Sequence, residues 1–248
     1  MKNFLKKIKI INTVYKLIRP IIFFKEKSTG YLWIRYLLFD NKYKFYKRKF
    51  SKGNELSVID VGAFKGHWSL FFLRNFPIKK INVFEPTAKN IGSINRRLGN
   101  NKNIQIHHEG LSDKIEDRIF FEYDNRNTSS VYKNTYNSSI LVDEYTVRLN
   151  TLDNAVSNEE IFDVLKIDVE GHECNVLMGA KKILPNVKLI EIECHKNNPF
   201  ENKDPNSLEK ITSLLPKSFS LSFVETFNKG RVDEYNDFIF ANSDLLDT

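Results

Sequence analysis

From Leu56 onward the chain alternates short apolar runs with stretches whose apolar positions recur at helical spacing. The apolar runs at 56–61, 81–84, 104–108, 162–167 and 187–192 predict strands. Those at 162–167 and 187–192 are almost continuously apolar, as in strands buried on both faces. Helices are predicted over 68–75, 87–98, 173–184 and 207–215, where Pro77, Gly99 with Asn100, and Pro185 supply stop signals. Weaker β segments are expected at 118–123, 145–149, 219–225 and 237–241. Strands alternating with helices predict an α/β fold, a mostly parallel sheet with helices on both faces.

The first 52 residues follow a different pattern. Phe4, Ile8, Ile11, Tyr15, Ile18 and Ile22 recur at spacings of three and four, one face of a helix, with Lys2, Lys6, Lys9 and Lys16 elsewhere on the cylinder. Pro20 kinks or ends that helix near Arg19. An aromatic-rich stretch from Tyr31 to Phe50 follows and ends in a basic run. No run approaches the roughly 18 apolar residues that cross a bilayer, and no small-residue cleavage site follows Ile21–Phe24, so a secretory signal is not expected. The division expected is a basic amphipathic helical arm, 1–52, and a second domain, 53–248.

Charge sharpens that division. The formal net charge is +7, but residues 1–52 hold 12 Lys and 3 Arg against Glu26 and Asp40, a net of +13, leaving −6 for the rest. The electrostatic footprint is therefore local. It suits the anionic inner face of a membrane, set against the plainer alternative of an apolar face packed on the second domain. The arm has no nucleic-acid reader motif and the remainder is acidic, so no nucleic-acid partner is expected. With 41% hydrophobic and 13% aromatic residues the chain is not disordered. Two lone cysteines, Cys174 and Cys194, give neither a disulfide framework nor a zinc cluster. They are expected buried and reduced, in a cytoplasmic setting.

In an open parallel sheet, ligands bind beyond the carboxyl ends of the strands. After the first strand stands Asp60-Val61-Gly62-Ala63-Phe64-Lys65-Gly66, with two glycines placed for a sharp turn and close backbone approach. The spacing is not Gly-x-Gly-x-x-Gly, and no Gly-Lys-Ser/Thr is present, which disfavours a nicotinamide-dependent oxidoreductase and a phosphate cradle. Glu85 follows the second strand, where a carboxylate accepts hydrogen bonds from a pair of ribose hydroxyls. Two carboxylates beside a glycine turn suit a cationic nucleoside without phosphate.

Together, Val58-Ile59-Asp60-Val61-Gly62-Ala63-Phe64-Lys65-Gly66, Phe84-Glu85-Pro86, Gly110-Leu111-Ser112-Asp113, Thr151-Leu152-Asp153 and Leu165-Lys166-Ile167-Asp168-Val169-Glu170-Gly171-His172-Glu173 resemble the FkbM family of S-adenosylmethionine-dependent methyltransferases. The resemblance runs from about Leu56 to Cys194 and leaves the arm out. It implies a class I methyltransferase (Rossmann-like) fold, with a seven-stranded sheet and one antiparallel strand, and O-methylation, often of glycans or secondary metabolites. It also implies S-adenosylmethionine as cofactor, with Asp60, Gly62 and Gly66 at its methionine end, Glu85 at the ribose, and Leu111, Ser112 and Asp113 along the adenine. Ser129 and Ser130 resemble paired serines of the family. Phe64 departs from it, standing where the family has Asn.

Methyl transfer to oxygen needs an aligned acceptor, exclusion of water and, as a rule, removal of a proton. Asp168 and Glu170 are the expected catalytic residues, with Glu173, Glu193 and His195 facing the acceptor. For His172 and Glu173 the competing expectation is a role at the start of the following helix. Asp168, Glu170 and nearby carboxylates are hard donors that suit magnesium, yet the sequence supplies no clear third ligand, and no metal site is assigned. Set against a methyltransferase acting on a glycan, lipid-linked sugar or secondary metabolite is a binding module of the same fold without catalysis, which Phe64 alone favours.

Overall fold

The computed structural model describes residues 41–50, 53–124, 129–135, 140–196, 200–201, 206–227, 229 and 234–246. The predicted helical face from Phe4 to Ile22 lies outside them. Contacts divide the chain into two units, Met1–Lys49 and Phe50–Thr248. In the first, helix α1 (Asn41–Lys49) ends on Lys47, Arg48 and Lys49, cations favoured there by the helix dipole. Among the described residues no helix is long and apolar enough to cross a membrane.

The second unit is an α/β fold built on a seven-stranded sheet. Its strands are β1 (Leu56–Val61), β2 (Ile78–Phe84), β3 (Ile104–His107), β7 (Phe162–Ile167), β8 (Val187–His195), β9 (Phe219–Phe227) and β10 (Tyr235–Asn242), in the order β3-β2-β1-β7-β8-β10-β9. β1 pairs in parallel with β2 on one side and β7 on the other, so the strand order reverses at β1 and β7. A crevice at such a switch point opens beyond the strands' carboxyl ends. β10 runs antiparallel to both its neighbours, the one reversed strand that the resemblance implies.

Both β1 and β7 are buried along their full length. Ile59, Val61, Leu165, Ile167, Ile190 and Ile192 pack into one apolar cluster with Val176, Leu177 and Ile211. The latter three come from helices α5 (Glu173–Met178) and α6 (Leu208–Leu214). Helix α2 (His67–Asn75) covers residues of the opposite parity. Asp60, Lys166 and Glu191 stand opposite one another across β1, β7 and β8. On this row Ser69 Oγ donates to Asp60 Oδ2 at 2.6 Å and Trp68 Nε1 to Glu191 Oε2 at 2.9 Å. Helix α3 (Ala88–Leu98), amphipathic, joins β2 to β3, and the one-turn helix α4 (Leu152–Ala155) precedes β7.

Three departures from the sequence reading matter for the site. A second sheet, β4-β6-β5, is built from β4 (Gly110–Leu111), β5 (Glu116–Tyr123) and β6 (Leu141–Asn150), where only two short β segments were expected. Its hairpin half is exposed, and Asp143 and Glu144 break the apolar pattern. The helix expected over 173–184 ends at Met178. Gly179 presses on the β4 loop so closely that an added Cβ would lie 2.0 Å from the Ser112 carbonyl oxygen. β8 runs on to His195, so Glu193 and His195 stand in the strand and not after it.

Candidate functional site

The turn after β1 places Gly62, Phe64 and Gly66 at φ of 73°, 53° and 73°. At Gly62 a Cβ would lie 1.8 Å from the carbonyl oxygen of Asp168, so glycine is the residue that lets the β1 and β7 ends meet. Phe64 holds the same left-handed conformation without that freedom; Asn tolerates it better. Its N–H donates to Glu85 Oε2 at 2.8 Å, while Glu85 Oε1 accepts from Thr87 N at 3.0 Å and Asn90 Nδ2 at 3.2 Å. Glu85 is 4% exposed, and burial pushes its carboxyl pKa up against those hydrogen bonds. Its lone pairs, expected free for a ribose, are thus largely engaged in fixing the glycine turn.

Asp60 is fully buried. It was expected at the methionine end of a cofactor; here one oxygen takes Ser69 and the other meets Lys166 Nζ at 3.3 Å. An acid this deep requires a partner charge, and Lys166 supplies it. The same ammonium lies 3.3 Å from the carbonyl oxygen of Gly62 and 3.1 Å from Asp168 Oδ2. Burial alone would lower the Lys166 pKa, but Asp168 and Asp60 raise it well above the ordinary lysine value. Gly62, Asp60 and Asp168 therefore converge on one nitrogen. The sequence reading missed Lys166, although a lysine inside an apolar strand was the available signal.

Beyond β7 the chain turns through Asp168, whose side chain is 31% exposed, to Glu170 at φ 54° and Gly171 at φ 97°. Ser130 Oγ donates to the Glu170 carbonyl oxygen at 2.6 Å, and Ser129 Oγ accepts from Tyr123 N at 3.0 Å. The paired serines thus pin the second sheet to the acidic loop. Glu170 Oε2 and Glu193 Oε1 lie 3.2 and 3.3 Å from His195 Nε2. Burial pushes both carboxyls up, that of Glu193 strongly. Burial would lower His195, yet hydrogen bonds to Glu170 and Glu193 carry its pKa up to about 11.

Glu173, expected to face the acceptor, is instead turned inward and 2% exposed. Its Oε1 accepts from Val169 N at 3.0 Å and Gly171 N at 3.2 Å, and Asn206 Nδ2 donates to its Oε2. These orphan N–H groups precede α5, and a carboxylate in the first helical turn is where they find an acceptor. Burial lifts the Glu173 carboxyl to about 7.

Leu111 and Ser112 are buried beside β6, and Asp113 is exposed. Ser112 Oγ lies 2.9 Å from both Asp113 Oδ1 and His172 Nε2, and His172 Nδ1 lies 3.1 Å from Tyr132 Oη. One proton arrangement satisfies all three: His172 donates through Nε2, Ser112 donates to Asp113, and Tyr132 donates to Nδ1. Burial, reinforced by Arg118, lowers His172 to about 3 and keeps it neutral. Burial would raise Asp113, but hydrogen bonds from Asn175 and Ser112 bring it below the ordinary carboxylate value. Ser112, Tyr132 and His172 thereby tie the loop after β4, the second sheet and the acidic loop together. Cys174 and Cys194 are buried and unbridged, as expected.

With this geometry in hand, similarity to known proteins becomes informative. Comparison with curated proteins returns no match. The crystal structure of the methyltransferase FkbM from Methylobacillus flagellatus KT superposes with a TM-score of 0.50 at 14% identity, covering 74% of this chain and 43% of that one. This chain therefore spans less than half the length of the Methylobacillus protein. The N-methyltransferase NodS from Bradyrhizobium japonicum WM9 gives a TM-score of 0.50 at 10% identity, covering 87% of this chain and 98% of its own. Both share the fold. The sequence model of the methyltransferase FkbM domain matches residues 60–229, which hold the β1 turn, the acidic loop and the β8 carboxylate–histidine pair, and the chain belongs to that family.

Proposed function

We propose that this protein is an S-adenosylmethionine-dependent O-methyltransferase whose acceptor is a hydroxyl of a glycan, a lipid-linked sugar or a secondary metabolite. The observation that carries the reading is the convergence of Gly62, Asp60 and Asp168 on Lys166 at the switch point, with Glu170, Glu193 and His195 at the adjoining strand ends. The left-handed turn at Gly62 and Gly66 is shaped for close backbone approach, and the acid-rich surround suits a cation, so the residues fit a sulfonium nucleoside. Gly62 and Gly66 would hold its methionine end, with Asp60 acting from beneath through Lys166. Glu85 would reach the ribose while bracing the turn, and Leu111, Ser112 and Asp113 would flank the adenine.

When bound, that cofactor supplies an electrophilic methyl group and a neutral thioether leaving group. The chain's own task is to align the acceptor oxygen, exclude water and take the hydroxyl proton. Asp168 is partly exposed and held by Lys166, which suits it to orient the acceptor and makes it the first choice of base. Glu170, partly buried beside it, is the second candidate for the base and takes the proton in its ionised form. Glu193 and His195 hold the acceptor side, whereas Glu173 positions the loop.

Isothermal calorimetry with S-adenosylhomocysteine against NAD, followed by trapping of labelled methyl product from candidate sugars, tests the reading. Binding of NAD alone overturns it. Cofactor binding without transfer to any hydroxyl acceptor leaves the non-catalytic module, which the strained Phe64 turn favours. The basic segment 1–52 would bring the enzyme to an anionic cytoplasmic membrane face where lipid-linked acceptors lie; equal sedimentation of the full chain and a 53–248 fragment with anionic liposomes overturns that part.

A further inference from the structure

Glu193 and His195 are two residues apart on β8, so strand alternation sends both side chains to one face. Glu170 arrives from the neighbouring loop after β7. One donor atom from each of the three lies within 4.8 Å of the others. Around an octahedral ion with bonds of about 2.1 Å, adjacent donors stand about 3.0 Å apart; here His195 Nε2 is 3.2 Å from Glu170 Oε2 and 3.3 Å from Glu193 Oε1, and an entering cation takes the place of the Nε2 proton, which leaves to solvent.

The donors are also held in place. Glu170 is fixed by its left-handed backbone and by Ser130. The His195 ring is wedged between Phe200, at 5.4 Å and near-perpendicular, and Tyr235, at 5.8 Å. A cavity of about 10 Å³ borders that ring, lined by Gly171, Glu173, His195, Phe200 and Asn206, room for one water. His195 Nδ1 is buried and has no hydrogen-bond partner among the described residues; a metal-ligating imidazole takes such an outer partner on its second nitrogen. Asp237 stands directly opposite Glu193 in the β8–β10 register, and Asp168 lies nearby, so acids outnumber cations here.

We infer that Glu170, Glu193 and His195 form a binding site for a divalent cation, with one imidazole and two carboxylates on one side of the ion and the remaining positions open to an acceptor oxygen. Mixed imidazole and carboxylate donors suit Mn²⁺, Fe²⁺ or Zn²⁺. Cation binding stands on the three side chains; its use in orienting and acidifying an acceptor hydroxyl rests on the methyl-transfer reading above. The sequence alone offered no clear third ligand, because His195 reaches the cluster only through the extension of β8.

Mn²⁺ titrated into the full chain, with free Mn²⁺ read by electron paramagnetic resonance, tests the site. One saturable equivalent is expected, weakened at least about tenfold by His195→Ala and by Glu193→Gln and unchanged by Asp117→Asn on the second sheet. Calorimetry with S-adenosylhomocysteine on each variant confirms that the fold is intact. No saturable Mn²⁺ binding by a protein that still binds S-adenosylhomocysteine overturns the site, as does binding indifferent to both substitutions. Mn²⁺ binding without methyl transfer supports the site and counts against the enzymatic reading alone.

Discussion

Lys166 Nζ sits 3.1 Å from Asp168 Oδ2 and 3.3 Å from Asp60 Oδ1, joining a partly exposed acid at the crevice to one that never meets solvent. The lysine is therefore both a stability element and a positioning residue. Through it the interior of the sheet fixes the orientation of the carboxylate nearest the proposed reaction.

Replacing Lys166 with Met leaves Asp60 buried without its counter-charge. Removing one partner of a buried pair costs about 3–5 kcal/mol, and denaturant unfolding is expected to show a loss of that order. Lys166→Met with Asp60→Asn should recover part of it, because the uncompensated charge is then gone. Equal instability of the single and double variants would contradict the pairing.

Asp168→Asn keeps the shape of the side chain but weakens its hold on Lys166. Turnover is expected to fall while S-adenosylhomocysteine affinity changes little. A variant with wild-type turnover removes Asp168 from the mechanism.

Glu85→Ala strips the acceptor from Phe64, Thr87 and Asn90. Cofactor affinity is expected to drop by about 1–3 kcal/mol, and the melting temperature should fall with it, because the turn loses its brace. Weaker binding at an unchanged melting temperature would mean the ribose contact outweighs the turn.

Glu173 provides the pH dependence. Its native pKa, about 7, stands above the ordinary value of 4.5 because burial disfavours the ionised form. A raised native pKa means stability fully present below pH 4.5 and lost as pH rises through 7, an effect of about 3 kcal/mol. Glu173→Gln should flatten the stability profile across that window. An unaltered profile would show that the carboxyl titrates normally.

Phe64→Asn replaces an aromatic residue in the left-handed region with the type that best tolerates it after glycine. A stability gain of about 0.5–1 kcal/mol is expected from chemical denaturation, net of the lost cation–π contact of the ring with Lys65 Nζ at 4.8 Å; a loss of stability would contradict strain at Phe64.

The pattern of residues by itself determined the parallel core. Runs such as Leu56–Val61 and Phe162–Ile167 are apolar at four of six positions because both faces of those strands are covered, and one-dimensional hydrophobicity reports that burial directly. The glycine turn was equally legible, since Gly62 and Gly66 serve backbone conformations that few other residues adopt. Tertiary structure decided what each acid does. Asp60, Glu85, Glu173 and Glu193 look alike along the chain, yet depth and the nearest donor make one a counter-ion, one a brace, one a loop anchor and one a candidate ligand. The second sheet and the reach of β8 to His195 also belong to three dimensions, because exposed strands carry no continuous apolar run and long-range pairing leaves no periodic trace. A carboxylate's role is set by the groups that the fold brings within about 3 Å of it, and those lie up to 123 residues away in sequence.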